Sequence, residues 1–204
     1  MAAALAFLLG AGLALAAPPS ESPAAPDAPS KRVGLEAGLA LALPVPPAGL
    51  GPGPGLRILG DYAVTPRFSV GGEVYARIPT GARGSLEDEA LSEDLDWVAG
   101  LSVVAGGARI AYDVLGAADG PRLRVALAGG VAWVALDTDT QVGRTHDAVL
   151  TVWVQPEVGA LFPLGPGDIT ADLLVPIAPA ELLVLGPAPG GTGIGLAVGY
   201  RLRF

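Results

Sequence analysis

The sequence contains no cysteine, a single histidine and few charged residues. The lack of cysteine excludes a disulfide framework, a cysteine-ligated metal and a lipid-modified N-terminal cysteine. Charged residues make up 16% of the 204 residues, whereas a soluble domain carries about 25%. The net charge of −8 argues against a general nucleic-acid binder.

The abundant residues exclude two further classes. The sequence has 30 Gly and 20 Pro, and both are poor in helix interiors, so a helical bundle is excluded. Hydrophobic residues make up 51% of the chain, whereas intrinsic disorder requires low hydrophobicity. The length suggests one domain preceded by a targeting segment.

The N-terminus predicts export. Residues 2–17 carry no charge and include the small-x-small pattern Ala14-Leu15-Ala16, which is typical of a secretory signal peptide, here residues 1–16. No Lys or Arg precedes the apolar run, which leaves a translation start further upstream open. A membrane anchor is the alternative, but the run is short for a span of about 20 residues. Residues 17–32 predict a Pro/Ala-rich periplasmic linker.

Residues 33–204 show an alternation of apolar residues with small or polar ones. From residue 192 onward, every second residue is apolar, which predicts a strand with one apolar face. The same period predicts strands at 33–43, 56–64, 68–78, 97–114, 122–136, 149–162 and 168–178, with a bulge near Gly106-Gly107. Pro156 and Pro176 predict a bulge or a strand end. Eight strands without room for crossover helices predict an all-β, antiparallel up-and-down barrel.

The orientation of the two strand faces decides between a soluble and a transmembrane barrel. The polar face consists largely of Gly and Ala with few charges, which is poor for a soluble surface but suits the narrow lumen of an eight-stranded barrel. Short connections alternate with long ones, as in outer-membrane barrels. We therefore predict that the apolar face meets lipid and that the lumen is polar and filled by side chains. A soluble barrel with the reverse orientation is the alternative.

The aromatic residues divide between the two ends of the predicted strands. Rings at both ends are typical of the two interfaces of a bilayer. The tryptophans fall next to the long loops and the others next to the short turns. The predicted interface aromatics are Trp97, Trp133, Trp153, Tyr62, Phe68, Tyr112, Phe162, Tyr200 and Phe204.

The closing residues carry a resemblance to a known family. Tyr200, Leu202 and the terminal Phe204 resemble the C-terminal signal that the outer-membrane barrel assembly machinery reads. With the layout of 33–204, the chain resembles the small outer-membrane barrels of Gram-negative bacteria, of the outer-membrane protein A/X/W type. The resemblance implies an eight-stranded barrel in the outer membrane, with outer-membrane lipid and the assembly machinery as its partners.

The charges on the inward face are the chemistry that remains to be explained. An arginine in lipid near the bilayer midplane would cost about 2–4 kcal/mol, so these residues must face the lumen. We favour a salt-bridged plug over a narrow charged pore, with an excess of arginine at the periplasmic mouth. The predicted lumen network consists of Glu36, Arg57, Asp61, Glu73, Arg77, Arg109, Glu157, Asp172, Arg201 and Arg203, with Arg122 and Arg124 beside them.

Two external segments suggest further sites. The acidic loop 87–96 is interpreted as a solvated loop or, alternatively, a surface site for divalent cations, although it lacks the spacing of a Ca²⁺ loop. His146 and Asp147 lie opposite Asp137 and Asp139 on one hairpin, which faintly resembles the rim pairs of the omptin surface proteases. Omptins have ten strands and take their pairs from different hairpins, so a surface hydrolase is the more distant alternative.

The function that we predict is that of a non-enzymatic outer-membrane barrel with an envelope-structural or surface-contact role. A narrow channel for small or apolar solutes is the alternative. No catalytic residue, cofactor or metal ligand set is predicted from the sequence, and no nucleic-acid partner is expected.

Overall fold

The computed structural model describes residues 33–44, 52–86, 95–116, 120–140, 143–180 and 191–204. The predicted signal peptide, the linker and most of the acidic loop lie outside the described residues. Among the described residues, no helix is long and apolar enough to cross a bilayer.

Eight antiparallel strands form a closed barrel in sequence order, and β1 pairs with β8 to complete it. This confirms the predicted fold class. The strands are β1 Val33–Pro44, β2 Gly53–Ala63, β3 Phe68–Leu86, β4 Leu95–Gly116, β5 Arg122–Thr140, β6 Gly143–Leu164, β7 Gly167–Leu174 and β8 Gly193–Arg203. We call the end of the barrel with the turns at 64–67 and 165–166 the short-turn end, and the other the long-loop end.

The apolar faces of the strands point outward, as predicted. Leu196 on β8 is 61% exposed, whereas Glu73 on β3 is 3% exposed. The strands β2 and β8 have 11 residues each, which matches the roughly 9–11 residues of a tilted transmembrane strand. A soluble barrel would bury the residues that are exposed here, so the structure contradicts the soluble alternative.

The strands β3 to β6 extend further than the alternation predicts. They have 19 to 22 residues, and they take up much of the predicted loops 79–96 and 137–148. Both faces of a hairpin meet water beyond the bilayer, so its residues need not alternate between apolar and polar. The ladder between β5 and β6 continues through Asp137↔His146 to Thr140↔Gly143.

The bulge expected near Gly106-Gly107 was wrong. Gly107 pairs regularly with Glu73 and Gly130, and the register shifts lie instead between Arg77 and Thr80 and between Asp113 and Leu115. A Cβ atom on Gly107 would collide with the backbone of β5. Glycine is required at this position because the two strands approach closely, without an extra residue in either.

The two prolines mark the point where β7 stops. The predicted strand 168–178 is shorter in the structure, because β7 ends at Leu174, two residues before Pro176. The carbonyl of Pro156 accepts a hydrogen bond from Val175 at 3.0 Å. In an antiparallel ladder, the N–H and C=O of one residue point to the same neighbouring strand. The N–H that Pro156 lacks would therefore point toward the segment that follows β7, where the β6–β7 ladder ends. This confirms the expected strand end at Pro176. At Pro156 the expectation was wrong, because β6 continues through it to Leu164 and the β5–β6 register does not shift there.

Candidate functional site: the charged lumen

Arg57 lies at the centre of the charged network inside the barrel. Its Nε donates to Glu73 at 2.8 Å, its Nη1 to Asp172 at 2.6 Å and its Nη2 to Glu157 at 2.6 Å. Glu36 lies 3.8 Å from Nη1. One guanidinium therefore joins four strands besides its own, namely β1, β3, β6 and β7. The fixed fork of donors in arginine suits this role, which a lysine ammonium cannot reproduce.

Arg109 and Gln155 close the ring of contacts around Arg57. Arg109 donates to Glu157 through Nη2 at 2.8 Å and Nε at 3.1 Å. The Nε2 of Gln155 donates to Glu73 at 2.8 Å and to Glu157 at 3.0 Å. These charge-assisted bonds lie where every participating side chain is buried, which makes them strong and the loss of a partner costly.

A second group of ion pairs lies nearer the short-turn end. Asp61 accepts from Arg201 Nη2 at 2.5 Å. Asp113 accepts from Arg124 at 2.6 Å and from Arg122 at 3.1 Å.

Asp168 on β7 links β5 and β8 at the same end of the barrel. It accepts from Arg122 and from Arg203, each at 2.8 Å.

The inner wall makes room for these side chains with glycines. Gly159 lies on β6 opposite Asp172 of β7 in the ladder. A Cβ atom on Gly159 would overlap the Asp172 carboxylate, so only glycine leaves that carboxylate where Arg57 reaches it. The position of the network is thus set by the small residues that alternate with the charged ones.

The lumen charges of the described residues balance. Each residue of the predicted network faces the lumen, although Arg203 at the mouth is only half-buried. Asp113 and Asp168 complete the network and remove the predicted excess of arginine. The seven cations are Arg57, Arg77, Arg109, Arg122, Arg124, Arg201 and Arg203, and the seven carboxylates are Glu36, Asp61, Glu73, Asp113, Glu157, Asp168 and Asp172.

The outer half of the lumen is largely apolar, a feature that the alternation alone did not predict, although Arg77, two residues beyond Tyr75 on β3, is also buried there. Buried side chains there form one hydrophobic cluster above the Arg57 network. Its larger members are Tyr75, Leu101, Val103, Val134, Leu136, Trp153 and Leu174. The barrel is therefore filled by two layers of different chemistry, with the charged layer toward the short-turn end.

Trp153 requires a correction. It was predicted at the membrane interface, but its side chain is 1% exposed and belongs to the apolar layer of the lumen, whereas Trp133 is 41% exposed on the outer wall. The strand parity of Trp153, shared with Gln155 and Glu157, determines its direction. The height of the residue along the strand does not.

Most of the other predicted interface aromatics lie on the outer wall. Phe68 pairs with Tyr112 across β3 and β4, and Ile169 pairs with both Phe162 and Tyr200. Tyr200 also donates from its hydroxyl to the carbonyl of Leu164 at 2.8 Å. Tyr62, Tyr112, Phe162 and Phe204 are exposed near the short-turn end. The side chain of Trp97 lies outside the described residues.

The hairpin of β5 and β6 carries the residues of the hydrolase alternative. His146 Nδ1 lies 2.7 Å from Asp137 Oδ1, and Arg144 donates to Asp139 at 2.9 Å. Asp147 follows His146 in the strand, so the two side chains point to opposite faces. The predicted pair of His146 with Asp147 is thus replaced by a cross-strand pair with Asp137.

The outer face of this hairpin borders an open groove of about 580 Å³, which Val98 and Gly100 of β4 also line. Among the residues that the structure describes, no three His, Asp or Glu side chains form a group that could hold a metal ion. The acidic residues 87–94, on which the cation alternative depends, lie outside the described ranges.

Comparisons with known proteins identify the fold. No family model and no curated protein match the chain. It is similar to the solved structure of Ail, the attachment invasion locus protein of Yersinia pestis, in complex with the heparin analogue sucrose octasulfate. The identity is 13%, the TM-score is 0.51, and the match covers 85% of this chain and 98% of that chain.

A second similar structure is the outer membrane protein OprG from Pseudomonas aeruginosa. Here the identity is 12%, the TM-score is 0.51, and the match covers 86% of this chain and 97% of that chain. At such identities the likeness concerns the fold alone. The chain therefore has the fold of the small eight-stranded barrels of the Gram-negative outer membrane, and its apolar outer wall fits that location.

Proposed function

We propose that this protein is a non-conducting, non-enzymatic barrel of the outer membrane, with an envelope-structural or surface-contact role. The observation that carries the proposal is the filling of the lumen. The Arg57 network connects β1, β2, β3, β6 and β7 across the charged layer. The apolar layer lies above it. A permeating ion would have to pass both.

The two layers oppose permeation for different reasons. In the charged layer, an ion must separate buried pairs whose partners would be left uncompensated. In the apolar layer, an ion would lose its hydration and gain few polar partners. A narrow channel for small or apolar solutes needs an opening through both layers at once.

Electrical recording tests the closed lumen. The refolded chain, inserted in a planar bilayer, should give no steady single-channel openings, while a known porin in the same membrane conducts. Steady openings of the native chain would overturn the proposal and favour the narrow channel.

The hairpins that extend beyond the barrel support a role at the cell surface. The ladders β3–β4 and β5–β6 reach Leu86↔Leu95 and Thr140↔Gly143. A variant in which Leu136 is joined to its ladder partner Asp147 by a two-residue turn would shorten one hairpin and keep the barrel. If the role is surface contact, this variant should lose the adhesion of producing cells to a coated surface. If the role is structural, it should still restore the detergent resistance of cells that lack the protein.

The hydrolase alternative is tested on the same hairpin. Under the non-enzymatic proposal, the purified native protein and the His146→Ala variant should both hydrolyse ester and peptide substrates no faster than the blank. A hydrolytic activity that the native chain shows and this variant lacks would establish an enzyme and overturn the non-enzymatic proposal.

A further inference from the structure

The open groove beside the β5–β6 hairpin lies on the same face of the sheet as the apolar outer wall. After Trp133, the outer face of β5 continues with Ala135, Asp137 and Asp139, because every second residue of a strand shares one face. The groove has a volume of about 580 Å³, which is the size of a pocket for a small molecule. It opens sideways, toward the molecules that stand beside the barrel in the same membrane.

The height of the groove above the bilayer distinguishes between classes of lipid. Trp133 is the last large apolar side chain on the outer face of β5 and marks the interface. Asp137 follows four residues later, which places it roughly 10 Å further from the bilayer in a tilted strand. The headgroup zone of a phospholipid is only about 5–8 Å deep on each side. A phospholipid headgroup is therefore too short to fill the groove, whereas a saccharide headgroup reaches it.

Two cross-strand pairs hold the polar side chains of the groove in place. His146 Nδ1 lies 2.7 Å from Asp137, and Arg144 donates from Nε to Asp139 at 2.9 Å. The Nη groups of Arg144, Nε2 of His146 and the second oxygen of each carboxylate form no hydrogen bond within the part of the chain that the structure describes. All four side chains are at least half exposed, so these groups are accessible to a ligand.

The arrangement suits an uncharged sugar better than an ion. Among the described side chains, each carboxylate of the groove already has a basic partner, so neither is left to attract a cation. The two carboxylates would also repel a phosphate. The remaining donors and acceptors match sugar hydroxyl groups, each of which both donates and accepts.

Trp133 adds an apolar surface at the membrane side of the groove. Its ring centre lies 6.5 Å from that of His146, and the indole can pack against the C–H face of a sugar ring. We propose that the groove binds the uncharged saccharide headgroup of a glycolipid in the outer leaflet of the membrane around the barrel. This inference goes beyond the closed lumen, and the two can fail separately, because conductance does not depend on the outer face of the hairpin.

Lipid binding in detergent tests the proposal. The refolded full chain is titrated with digalactosyl diacylglycerol, whose headgroup is an uncharged saccharide, and with phosphatidylcholine and phosphatidylglycerol of the same acyl chains. Native mass spectrometry counts the bound lipid. The glycolipid should bind about tenfold more tightly than either phospholipid. Equal affinities for the three lipids would overturn the proposal, and so would a preference for phosphatidylglycerol, which would indicate a site for an anionic headgroup.

Variants on the two faces of the hairpin locate the binding. Arg144→Gln with Asp139→Asn removes an exposed pair as a neutral unit and should lower the preference for the glycolipid to about twofold. Trp133→Leu keeps an apolar side chain on the wall and should weaken glycolipid binding about fivefold. The control Asp147→Asn changes a carboxylate on the other face of β6 and should keep the native preference.

The mobility shift of the folded barrel on gels shows that each variant has folded before its binding is measured. A full preference for the glycolipid in both groove variants would overturn the proposal. An equal loss in the Asp147→Asn control would overturn it as well, because the effect would then belong to the hairpin as a whole. If the double variant does not fold, Trp133→Leu and the control decide.

Discussion

The guanidinium of Arg57 lies 2.6 Å from the carboxylate of Glu157, although 100 positions separate the two residues in the sequence. The contact crosses the interior of the barrel from β2 to β6. It shows that closure of the sheet, and not proximity along the chain, determines which charges meet in the lumen.

Removal of Arg57 should destabilise the barrel strongly. In Arg57→Met, three carboxylates lose a direct hydrogen-bond partner, and we expect the free energy of unfolding to fall by about 3–5 kcal/mol. Urea titration in lipid vesicles, followed by the mobility shift of the folded barrel on gels, measures this change.

The matched control for Arg57 is Arg144→Met. Arg144 pairs with Asp139 but its side chain is 84% exposed, so its loss should cost less than about 1 kcal/mol. Adding Glu157→Gln to Arg57→Met should recover part of the stability, because one buried charge is removed. Equal costs for the two single variants would show that the Arg57 network does not stabilise the fold.

Two glycines test the crowding of the inner wall. Gly159→Ala places a methyl group against the Asp172 carboxylate and should cost about 1–3 kcal/mol. Gly60→Ala is the control, because its added Cβ atom would have its nearest neighbour 3.9 Å away on the outer wall. Each variant adds one methyl group to the native chain, so the two are matched. Their stabilities are compared by the midpoints of unfolding in urea. A loss of stability at Gly60 equal to that at Gly159 would contradict the assignment of the two faces.

A charge on the outer wall tests the lipid contact. Leu196→Arg places a guanidinium on the exposed apolar face of β8, where it should cost about 2–4 kcal/mol in a bilayer. Thr145→Arg, on the exposed arm of β6 beyond the apolar wall, should cost little. The difference should appear in vesicles by urea unfolding. Its absence would mean that the wall around Leu196 does not face hydrocarbon.

The two tryptophans on opposite faces should respond differently to truncation. Trp153→Ala empties part of the apolar layer in the lumen and should cost about 3–5 kcal/mol. Trp133→Ala removes a ring that is exposed on the outer wall and should cost less, because lipid fills the space. Tryptophan fluorescence with an aqueous quencher gives an independent check, since Trp153 should be shielded from it. A larger loss of stability for Trp133→Ala than for Trp153→Ala would contradict the burial of Trp153 in the lumen and favour its position at the membrane interface.

Much of the lumen could be predicted from the sequence, because the period of two separates inward from outward residues without any tertiary information. Glu73 and Arg77 share one strand face, and the structure buries both. The same parity placed Trp153 inside the lumen. The prediction followed its height along the strand instead and put it at the membrane interface. Asp168 shares the inward parity of Thr170 and Asp172. It was left out of the predicted network because it is the first residue of the predicted strand.

Other features carried no local signal. Residues 79–86 and 137–140 belong to strands beyond the bilayer, where neither face needs to be apolar, so their sequence resembles a loop. The ion-pair partners could not be derived either, since Arg57 and Asp172 lie 115 positions apart and meet only in a specific register. A shift of one residue in any ladder would turn these side chains into lipid.

The amino-acid sequence by itself determined the number of strands, the face of each that meets lipid and the presence of charges within, because these depend on the alternation along a single strand. The tertiary structure decided which charges pair, that the seven arginines are balanced, and that the outer half of the lumen is largely apolar. These properties depend on the stagger of eight strands in a closed sheet, and that stagger is set by contacts between residues far apart in the chain.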